Sequence, residues 1–228
     1  MTAPHISPII ALVGPTASGK SQAAMQLARQ LPGEIISCDS VQVYRGFDIG
    51  SAKPTAAEQA EISHHMIDVC EADAEYDAHL FAQQARAAAT AIDQRGQAVI
   101  LCGGTGLYLR TFLGESFHGL PQDPKVRAQL KKVTTAELWQ ELEQKDPERA
   151  AQLHPNDRVR IERAVEVVRL LGEPVALHQR QPSPPTPWQQ RSRIVFLEPP
   201  RSLLHERIAR RVDQMLEQGL VAEVEALR

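Results

Sequence analysis

The sequence predicts an α/β protein, with a parallel sheet flanked by helices and an all-helical insertion. Short apolar runs alternate with helix-forming segments from residue 9 to about residue 113, and such alternation is typical of βαβ units. The strand signals then stop between about 119 and 181, where the pattern is helical. A last apolar run at 193–197 indicates that the sheet resumes after the insertion.

Five strands are expected at short apolar runs, namely 9–13, 34–38, 64–69, 98–102 and 193–197. Strands of a parallel sheet are buried on both faces, so they read as continuous apolar runs and not as alternating patterns. Helices are expected between them, at 22–31, 55–62, 77–95 and 107–113. The third of these is rich in alanine, a strong helix former, and Gly96 marks its end.

Helix signals dominate the insertion. Thr134 and Glu137 have the spacing of a capping box, and Asp146 followed by Pro147 marks a second helix start. The segment 156–171 carries apolar residues on one face. After the insertion, 201–218 is amphipathic, and we expect its apolar residues to face the core; they are Leu204, Ile208, Val212 and Met215.

These patterns divide the chain into a core of residues 1–118 and 193–228 and an insertion of residues 119–192. The proline-rich run 181–187 predicts an extended hinge at the end of the insertion. The helical pattern still continues at Arg228, without a signal that ends it. We therefore expect that the C-terminal part of the core is truncated.

Composition limits the class of protein. The 228 residues include 25 basic and 28 acidic side chains, so any RNA contact must come from a local patch. The three cysteines are far apart and form no C-x-x-C pair, which argues against a disulfide framework or a zinc site and for a reducing compartment. The sequence shows no secretory signal and no apolar run near the ~20 residues of a membrane span, so we expect a cytoplasmic protein without membrane association.

The eight residues after the first strand match the phosphate-loop pattern of a glycine, four residues and Gly-Lys-Ser. They are Gly14, Pro15, Thr16, Ala17, Ser18, Gly19, Lys20 and Ser21. Glycines let such a loop curl so that its N–H groups point at one anion, and the following helix directs its N-terminus there. Lys20 adds a mobile positive charge, and the Ser21 hydroxyl can ligate Mg²⁺. The loop predicts binding of a diphosphate or a triphosphate without distinguishing the two.

Two further turns follow predicted strands. Asp39 ends the second strand, and Thr105 lies in the glycine turn 103–106 after the fourth. In open α/β sheets the ligand crevice lies beyond the carboxyl ends of the strands, so Asp39 is expected near the phosphate loop. A turn cap is the structural alternative for Asp39. Asp68, near the end of the third strand, is a candidate ligand of Mg²⁺-bound water.

One helix of the insertion, 156–171, is rich in arginine, with Arg158, Arg160, Arg163 and Arg169. Basic and acidic residues nearly balance over the insertion, so the positive charge is local to this helix. A solvated helix face and an RNA contact are equally compatible with this pattern. Arg207 and Arg211 are four residues apart on a later helix and share one side of it.

Seven sequence blocks occur in a fixed order: the phosphate loop 14–21, Asp39-Ser40-x-Gln42-x-Tyr44, Asp48-Ile49-Gly50-Ser51-Ala52-Lys53-Pro54, His64-His65-Met66-Ile67-Asp68, Gly103-Gly104-Thr105-x-x-Tyr108, Asp123-Pro124-x-x-Arg127 and Arg207-Ile208-x-x-Arg211. In these blocks the chain resembles the tRNA dimethylallyltransferases, the isopentenyl transferases that modify the adenosine beside the anticodon. The resemblance runs from about residue 9 to residue 228. Seven ordered blocks are far more specific than the phosphate loop alone.

The resemblance implies a P-loop NTPase-like fold that transfers a dimethylallyl group from dimethylallyl diphosphate to N6 of adenosine 37, with Mg²⁺ as cofactor. It implies that Asp39 is the general base and that Thr105 lies beside the reacting centre. It also implies that residues 14–21 bind the diphosphate together with Arg127 and Arg211. Ser21 or Thr16 would hold the Mg²⁺.

The same resemblance implies contacts to tRNA. Residues near the target base would be Asp39, Ser40, Val41, Gln42 and Thr105. Residues of the insertion that grip the anticodon stem-loop would be Arg127, Arg158, Arg160 and Arg163. A stacked base cannot be reached by the site, so the adenosine must be flipped out. We expect a monomeric protein.

Three other functions stay open on the sequence. An adenylate isopentenyltransferase, which prenylates free AMP, ADP or ATP, would share the phosphate loop, Asp39 and Thr105, although the arginine-bearing insertion favours tRNA. A small-molecule kinase would use Asp68 as the ligand of Mg²⁺-bound water, with Arg207 and Arg211 closing on ATP. An RNA-binding protein with a degenerate nucleotide site would leave Asp39 without a role.

Overall fold

Five parallel strands form one sheet in the order β3-β2-β4-β1-β5 in the computed structural model, which describes residues 8–114, 121–174 and 185–228. The strands are β1 (Ile9–Val13), β2 (Gly33–Ser37), β3 (His64–His65), β4 (Ala98–Gly103) and β5 (Ser192–Phe196). β1 lies between β4 and β5 and is parallel to both. The predicted α/β class is confirmed, and so is the return of the chain to the sheet after the insertion.

Helices cover both faces of this sheet. They are α1 (Lys20–Gln30), α3 (Ala78–Gln94) and α4 (Gly106–Leu113), whereas α2 (Ala56–Glu61) is a short helix without a buried residue. Phe81 of α3 and Phe112 of α4 are fully buried in one apolar cluster, and Met25 of α1 belongs to the cluster on the other face. The Asp77 side chain caps α3, as it accepts hydrogen bonds from two N–H groups of the first turn at 2.9 and 2.8 Å.

β3 is shorter than the predicted 64–69. Only His64 and His65 pair with β2. Met66 and Asp68 have left-handed backbone, with φ of 63° and 55°, and residues in that conformation interrupt the extended path of a strand. The apolar pattern carries no sign of these two residues, so the predicted length was wrong.

The chain divides into two compact units, one of Met1–Ser116 with Pro185–Arg228 and one of Phe117–Pro184. The second unit contains α5 (Pro124–Leu130), α6 (Thr135–Lys145), α7 (Pro147–Ala150) and α8 (Arg158–Leu171). Thr134 and Glu137 form the predicted capping box, and Asp146 caps α7. The hinge predicted at 181–187 lies mostly outside the described residues.

The C-terminal helices differ from expectation. α9 (Pro187–Arg191) precedes β5, and α10 (Arg201–Glu217) and α11 (Leu220–Ala226) follow it. We expected the apolar side of α10 to face the core, and this was wrong, since no residue of α10 is buried and Val212 is 46% exposed. Amphipathic spacing shows which face of a helix is apolar, but not whether another element covers it. Neither α10 nor any other helix in the described part of the chain is long and apolar enough to cross a membrane.

Glu166 is a buried carboxylate of the second unit, only 1% exposed. Its Oε1 accepts hydrogen bonds from the Asp123 N–H at 3.0 Å and from Arg127 Nε at 2.9 Å. Its Oε2 accepts from Arg163 Nη1 at 2.5 Å. Burial alone would raise the pKa of Glu166, but these donors outweigh it and the pKa is lowered. The carboxylate therefore stays charged near neutral pH and ties α5 to α8.

We predict that Glu166→Ala lowers the free energy of unfolding of the second unit by about 1–3 kcal/mol, because buried charge-assisted hydrogen bonds are lost. Urea unfolding of a Trp188→Phe background measures this, since Trp139 fluorescence then reports the second unit alone. Because the pKa of Glu166 is lowered, its contribution is complete above the ordinary carboxyl pKa and disappears as the pH falls through the folded-state pKa.

The matched control is Glu162→Ala on the same helix. Glu162 pairs with Arg158 at 2.6 Å but is partly exposed, so its loss should cost under about 1 kcal/mol. Equal stability of the two variants at neutral pH would contradict the role given to Glu166.

Candidate active site

The phosphate loop connects β1 to α1 through a tight curl. Ala17 and Gly19 have left-handed backbone, with φ of 63° and 90°, and the Ser18 N–H between them donates to the Pro15 carbonyl at 3.2 Å. Left-handed residues in a turn direct successive N–H groups toward one side, which creates a concavity for an anion. α1 begins at Lys20, so the positive end of its dipole lies at the same loop.

Ser18 supplies an orphaned polar atom at this loop. Its hydroxyl is buried and has no hydrogen-bond partner among the described residues. Buried hydroxyl groups nearly always have a partner, so the Ser18 hydroxyl has capacity for one more hydrogen bond at this loop. A phosphate oxygen is a suitable acceptor, and the loop therefore fits a bound diphosphate.

Cationic side chains surround the loop. Lys20 Nζ donates to the Pro15 carbonyl at 3.2 Å, and Arg207 Nη1 donates to another carbonyl of the loop at 3.4 Å. Burial lowers the pKa of Lys20, and the nearby Arg211 adds to that effect, which the Asp39 carboxylate partly opposes. An anion bound here would relieve the repulsion between these cations.

Asp39 and Thr105 meet because β2 and β4 are neighbours in the sheet. The Ser40 N–H donates to Thr105 Oγ1 at 3.0 Å. Asp39 Oδ1 accepts from the N–H groups of Val41 and Gln42 at 2.9 and 3.3 Å. Asp39 therefore caps the turn, which is the structural role that the sequence left open for it. These two hydrogen bonds fix the orientation of its carboxylate.

Two cavities adjoin the phosphate loop. The first is about 740 Å³ and is lined by polar and charged residues that include Thr16, Lys20, Ser21, Asp39, Asp68 and Arg211. The second is about 730 Å³ and more apolar, with Thr105, Leu109, Phe196 and Leu204 in its lining. Gly103 lines both cavities. Asp39 thus lines the polar cavity and Thr105 the more apolar one.

Two glycines permit the close approach of the strand ends. A Cβ on Gly103 would lie 2.0 Å from the Cys38 carbonyl oxygen, and a Cβ on Gly14 would lie 2.4 Å from the Leu197 carbonyl oxygen. No side chain fits at these distances, so glycine is required at both positions. The sequence motif assigns these glycines to the curl of a loop, whereas the structure adds that neighbouring backbone occupies the space.

Two other residues predicted at the site, Gln42 and Asp68, form hydrogen bonds with neighbouring parts of the protein. Gln42 Nε2 donates to the carbonyl groups of residues 51 and 52, both at 3.1 Å, and its Oε1 accepts from Ser37 Oγ at 2.7 Å. Asp68, the candidate ligand of Mg²⁺-bound water, accepts from Lys53 Nζ at 2.5 Å. Val41 is 41% exposed beside them.

The predicted arginines of the insertion make contacts inside the second unit. Arg127 and Arg163 bind the buried carboxylate described above, and Arg158 donates to a backbone carbonyl at 3.1 Å. Arg160 pairs with its neighbouring helix cap, and its side chain is 69% exposed, more than those of the other three. Structural contacts therefore account for much of the arginine content of this unit.

Hydroxyl groups are the metal-binding candidates. Ser21 and Thr16 both line the polar cavity. Over residues 8–114, 121–174 and 185–228, no group of three His, Cys, Asp or Glu side chains could hold a metal ion by itself. Mg²⁺ commonly keeps several waters and binds phosphate oxygens of the substrate, so hydroxyl ligands beside a phosphate loop fit this ion.

Sequence reasoning gave no role to two charged residues of this region. Lys53, whose side chain is 5% exposed, pairs with both Asp48 and Asp68, and its place in the block 48–54 was the only signal. Glu223 accepts three backbone N–H groups from the same block. No local pattern marks Glu223, because its partners lie far away in the sequence.

The family model described as IPP transferase matches residues 42–228 of this chain. A tRNA dimethylallyltransferase of Halorhodospira halophila is 45% identical over 229 residues, which cover 97% of this chain and 73% of that protein. A tRNA dimethylallyltransferase of Xylella fastidiosa is 46% identical over 223 residues, which cover 96% of this chain and 70% of that protein.

Solved structures are similar as well. A tRNA isopentenylpyrophosphate transferase from Bacillus halodurans matches with a TM-score of 0.63 and 37% identity, over 97% of this chain and 70% of that one. A eukaryotic dimethylallyltransferase acting on tRNA matches with a TM-score of 0.78 and 29% identity, over 97% of this chain and 56% of that one.

We predict different defects for alanine at two adjacent glycines. Gly103→Ala forces a Cβ against the Cys38 carbonyl and should lower the free energy of unfolding by about 1–3 kcal/mol or more. Gly104→Ala should fold normally, because its Cβ would lie 3.5 Å from the Gly14 oxygen and 3.9 Å from Lys20 Nζ. That Cβ occupies space beside the ammonium, so the affinity for pyrophosphate with Mg²⁺ should fall about tenfold.

Thermal unfolding and calorimetric titration with pyrophosphate and Mg²⁺ measure the two effects. A wild-type melting temperature for Gly103→Ala would contradict the close backbone approach. Wild-type affinity for Gly104→Ala would show that the anion binds elsewhere.

Proposed function

The chain belongs to the IPP transferase family, and we infer that it is a tRNA dimethylallyltransferase. It transfers a dimethylallyl group from dimethylallyl diphosphate to N6 of adenosine 37, next to the anticodon, and releases diphosphate. The observation that carries this proposal is the placement of Asp39 and Thr105 beside a phosphate loop that Lys20 and Arg211 make cationic. A base and a site for the leaving group thus lie side by side.

Activation of the leaving group is the first requirement of the reaction. An exocyclic amine is a poor nucleophile, so the carbon that it attacks must carry a good leaving group. Diphosphate becomes one when cations absorb the charge that develops as the C–O bond breaks. We assign this role to Lys20 and Arg211, together with the N–H groups of residues 14–21. The arriving diphosphate raises the pKa of Lys20 again, which keeps its ammonium charged.

Asp39 takes the N6 proton as the C–N bond forms. Two backbone N–H groups hold its carboxylate in place. The Asp39 side chain therefore needs little reorientation when the adenine enters the site. Thr105 lies on the other side of Gly103, and its hydroxyl proton has only a long contact of 3.4 Å, to Ser40 Oγ. That proton can turn to the bridging oxygen of the diphosphate.

Ser21 and Thr16 would hold Mg²⁺ through their hydroxyl groups. When bound, the ion neutralises part of the diphosphate charge and orients its oxygens. Ser21 lies in the first turn of α1 and lines the polar cavity together with Thr16 and Lys20.

Recognition of tRNA is proposed for two sets of residues. Those beside the flipped-out base are Asp39, Ser40, Val41, Gln42 and Thr105. Those of the second unit that contact the anticodon stem-loop are Arg127, Arg158, Arg160 and Arg163. Arg160 has the most exposed side chain of these arginines, 69%, and should contribute most to a phosphate contact. We place this enzyme in the cytoplasm, acting as a monomer on tRNA.

The activity is tested with radiolabelled dimethylallyl diphosphate, Mg²⁺ and unmodified tRNA, with AMP in a parallel reaction. We expect label in tRNA, lost when adenosine 37 is replaced by another nucleotide. Label in AMP alone would overturn the assignment of the substrate. Label in neither acceptor would overturn the proposed activity for this chain.

We predict that Asp39→Asn lowers the single-turnover rate of prenyl transfer by about 10²–10⁴-fold, the usual contribution of a positioned base. Asparagine keeps an oxygen that can accept the two backbone N–H groups, so the turn persists and only the base is lost. Rapid-quench assays measure the rate, and filter binding measures tRNA affinity, which should stay within about threefold of wild type. The exposed Asp73→Asn serves as the control. An unchanged rate in Asp39→Asn would remove this residue from the mechanism.

A further inference from the structure

One carboxylate joins α11 to the loop of residues 46–54, a segment for which the proposed mechanism has no use. Glu223 Oε2 accepts hydrogen bonds from the N–H groups of Asp48 and Ile49 at 2.8 and 2.7 Å, and Oε1 accepts from that of Gly50 at 2.9 Å. Three consecutive N–H groups directed at one anion form a nest. Burial would raise the pKa of Glu223, but these donors outweigh it and lower the pKa. The carboxylate is therefore held as an anion.

Two leucines pack α11 against the same loop. Leu220 Cδ1 lies 3.2 Å from the position that a Cβ on Gly50 would take, and Leu227 Cδ2 lies 3.1 Å from the corresponding position at Gly46. The absence of side chains at these glycines leaves the room that α11 occupies. Polar and apolar contacts together define one place for this helix.

The loop is tied in turn to the residues that carry the proposed base. Gln42 Nε2 donates to the carbonyl groups of residues 51 and 52, and the Gln42 N–H donates to Asp39 Oδ1. Lys53 Nζ adds a bond to the Tyr44 carbonyl at 2.7 Å. Displacement of the loop must therefore disturb the turn of Asp39.

Both walls of the polar cavity meet at Glu223. The loop lines that cavity through Asp48, Ile49 and Ser51, and α10 lines it through Arg211, Gln214 and Met215. α10 continues into α11 through Gly219. No residue of α10 is buried, and its bond from Arg207 to the phosphate loop is long, at 3.4 Å. The placement of Arg211 therefore depends heavily on the attachment of α11.

We propose that Glu223 is a positioning residue of the transferase: it seats α11 on residues 48–50 and thereby holds Arg211 and Asp39 on the two sides of the diphosphate cavity. Its kinetic consequence rests on the proposed function, whereas its effect on the loop and on anion binding does not. Glu223 itself contacts neither substrate nor reacting atoms, since both of its oxygens are used by the loop.

The test compares Glu223→Ala with Glu225→Ala, an exposed glutamate on the same helix. In Glu223→Ala we expect the KM for dimethylallyl diphosphate to rise by about tenfold or more, the scale of lost hydrogen bonds to a charged group. The single-turnover rate constant should fall by a smaller factor. Hydrogen exchange of the backbone amides of residues 48–50 should become faster. Glu225→Ala should match wild type in all three measurements.

Two further variants separate positioning from simple loss of structure. Glu223→Gln keeps an oxygen for the N–H groups of Asp48 and Ile49 but presents an NH₂ group to that of Gly50. It should therefore raise the KM by less than Glu223→Ala does, but above the value of Glu225→Ala. In an Arg211→Ala background, Glu223→Ala should add much less to KM than it does alone, because both changes act through one guanidinium. Full additivity would overturn the proposal, as would a KM in Glu223→Ala equal to that in Glu225→Ala.

Failure of the proposed function gives a different result. If wild type transfers no label to tRNA or AMP, pyrophosphate with Mg²⁺ replaces the substrate in calorimetric titrations. If Glu223→Ala, but not Glu225→Ala, weakens pyrophosphate binding and accelerates hydrogen exchange at residues 48–50, the attachment of α11 to this loop by Glu223 is still supported. Unchanged binding and exchange would overturn it.

Discussion

The approach of the Cys38 carbonyl to Gly103 is the constraint on which the rest of the site depends. β2 and β4 run side by side to their carboxyl ends, where a Cβ on Gly103 would lie 2.0 Å from that oxygen. Because glycine has no Cβ, this steric clash is avoided. The segments that follow β2 and β4 can then leave the sheet in contact with each other. The Asp39 turn and Thr105 are thereby placed within one hydrogen bond of each other. The same device at Gly14 and the Leu197 carbonyl brings the end of β5 to the phosphate loop.

Positive charge and hydrogen-bond donors converge at the phosphate loop. Lys20, Arg207 and Arg211 approach one loop, where burial, with a smaller effect of Arg211, lowers the pKa of Lys20 from its ordinary value. Ser18 adds a buried hydroxyl whose hydrogen-bonding capacity the described residues do not use. The diphosphate that we propose to bind here would interact with all of these groups together. Under the proposed function, the phosphate loop thus serves transfer of a group from a prenyl diphosphate.

Carboxylates hold the framework by the same physical means. Glu166 in the second unit and Glu223 in the first each accept three N–H donors. All three donors to Glu223 and two of the three to Glu166 come from segments distant in sequence, whereas Arg163 donates to Glu166 from the same helix. In both residues the donors lower the pKa against the effect of burial. Glu166 thereby links α5 to α8, and Glu223 links α11 to the loop of residues 46–54. Arg127 and Arg163 both bind Glu166. The arginines that we propose to contact RNA therefore also stabilise the second unit.

The sequence by itself determined the class of fold, the four longer strands, the capped helices and the phosphate loop, because each of these depends on neighbours in the chain. It also marked Asp39 and Thr105, since both follow strand patterns. The length of β3, the exposed side of α10 and the role of Glu223 were decided only by the tertiary structure. β3 ends where two residues adopt left-handed backbone, no residue of α10 is buried, and Glu223 binds residues far away in the sequence. None of these three features produces a local sequence pattern. The structure likewise decided that Gln42 is bound to the 51–52 carbonyls, because hydrogen-bond partners follow from three-dimensional position and not from residue type.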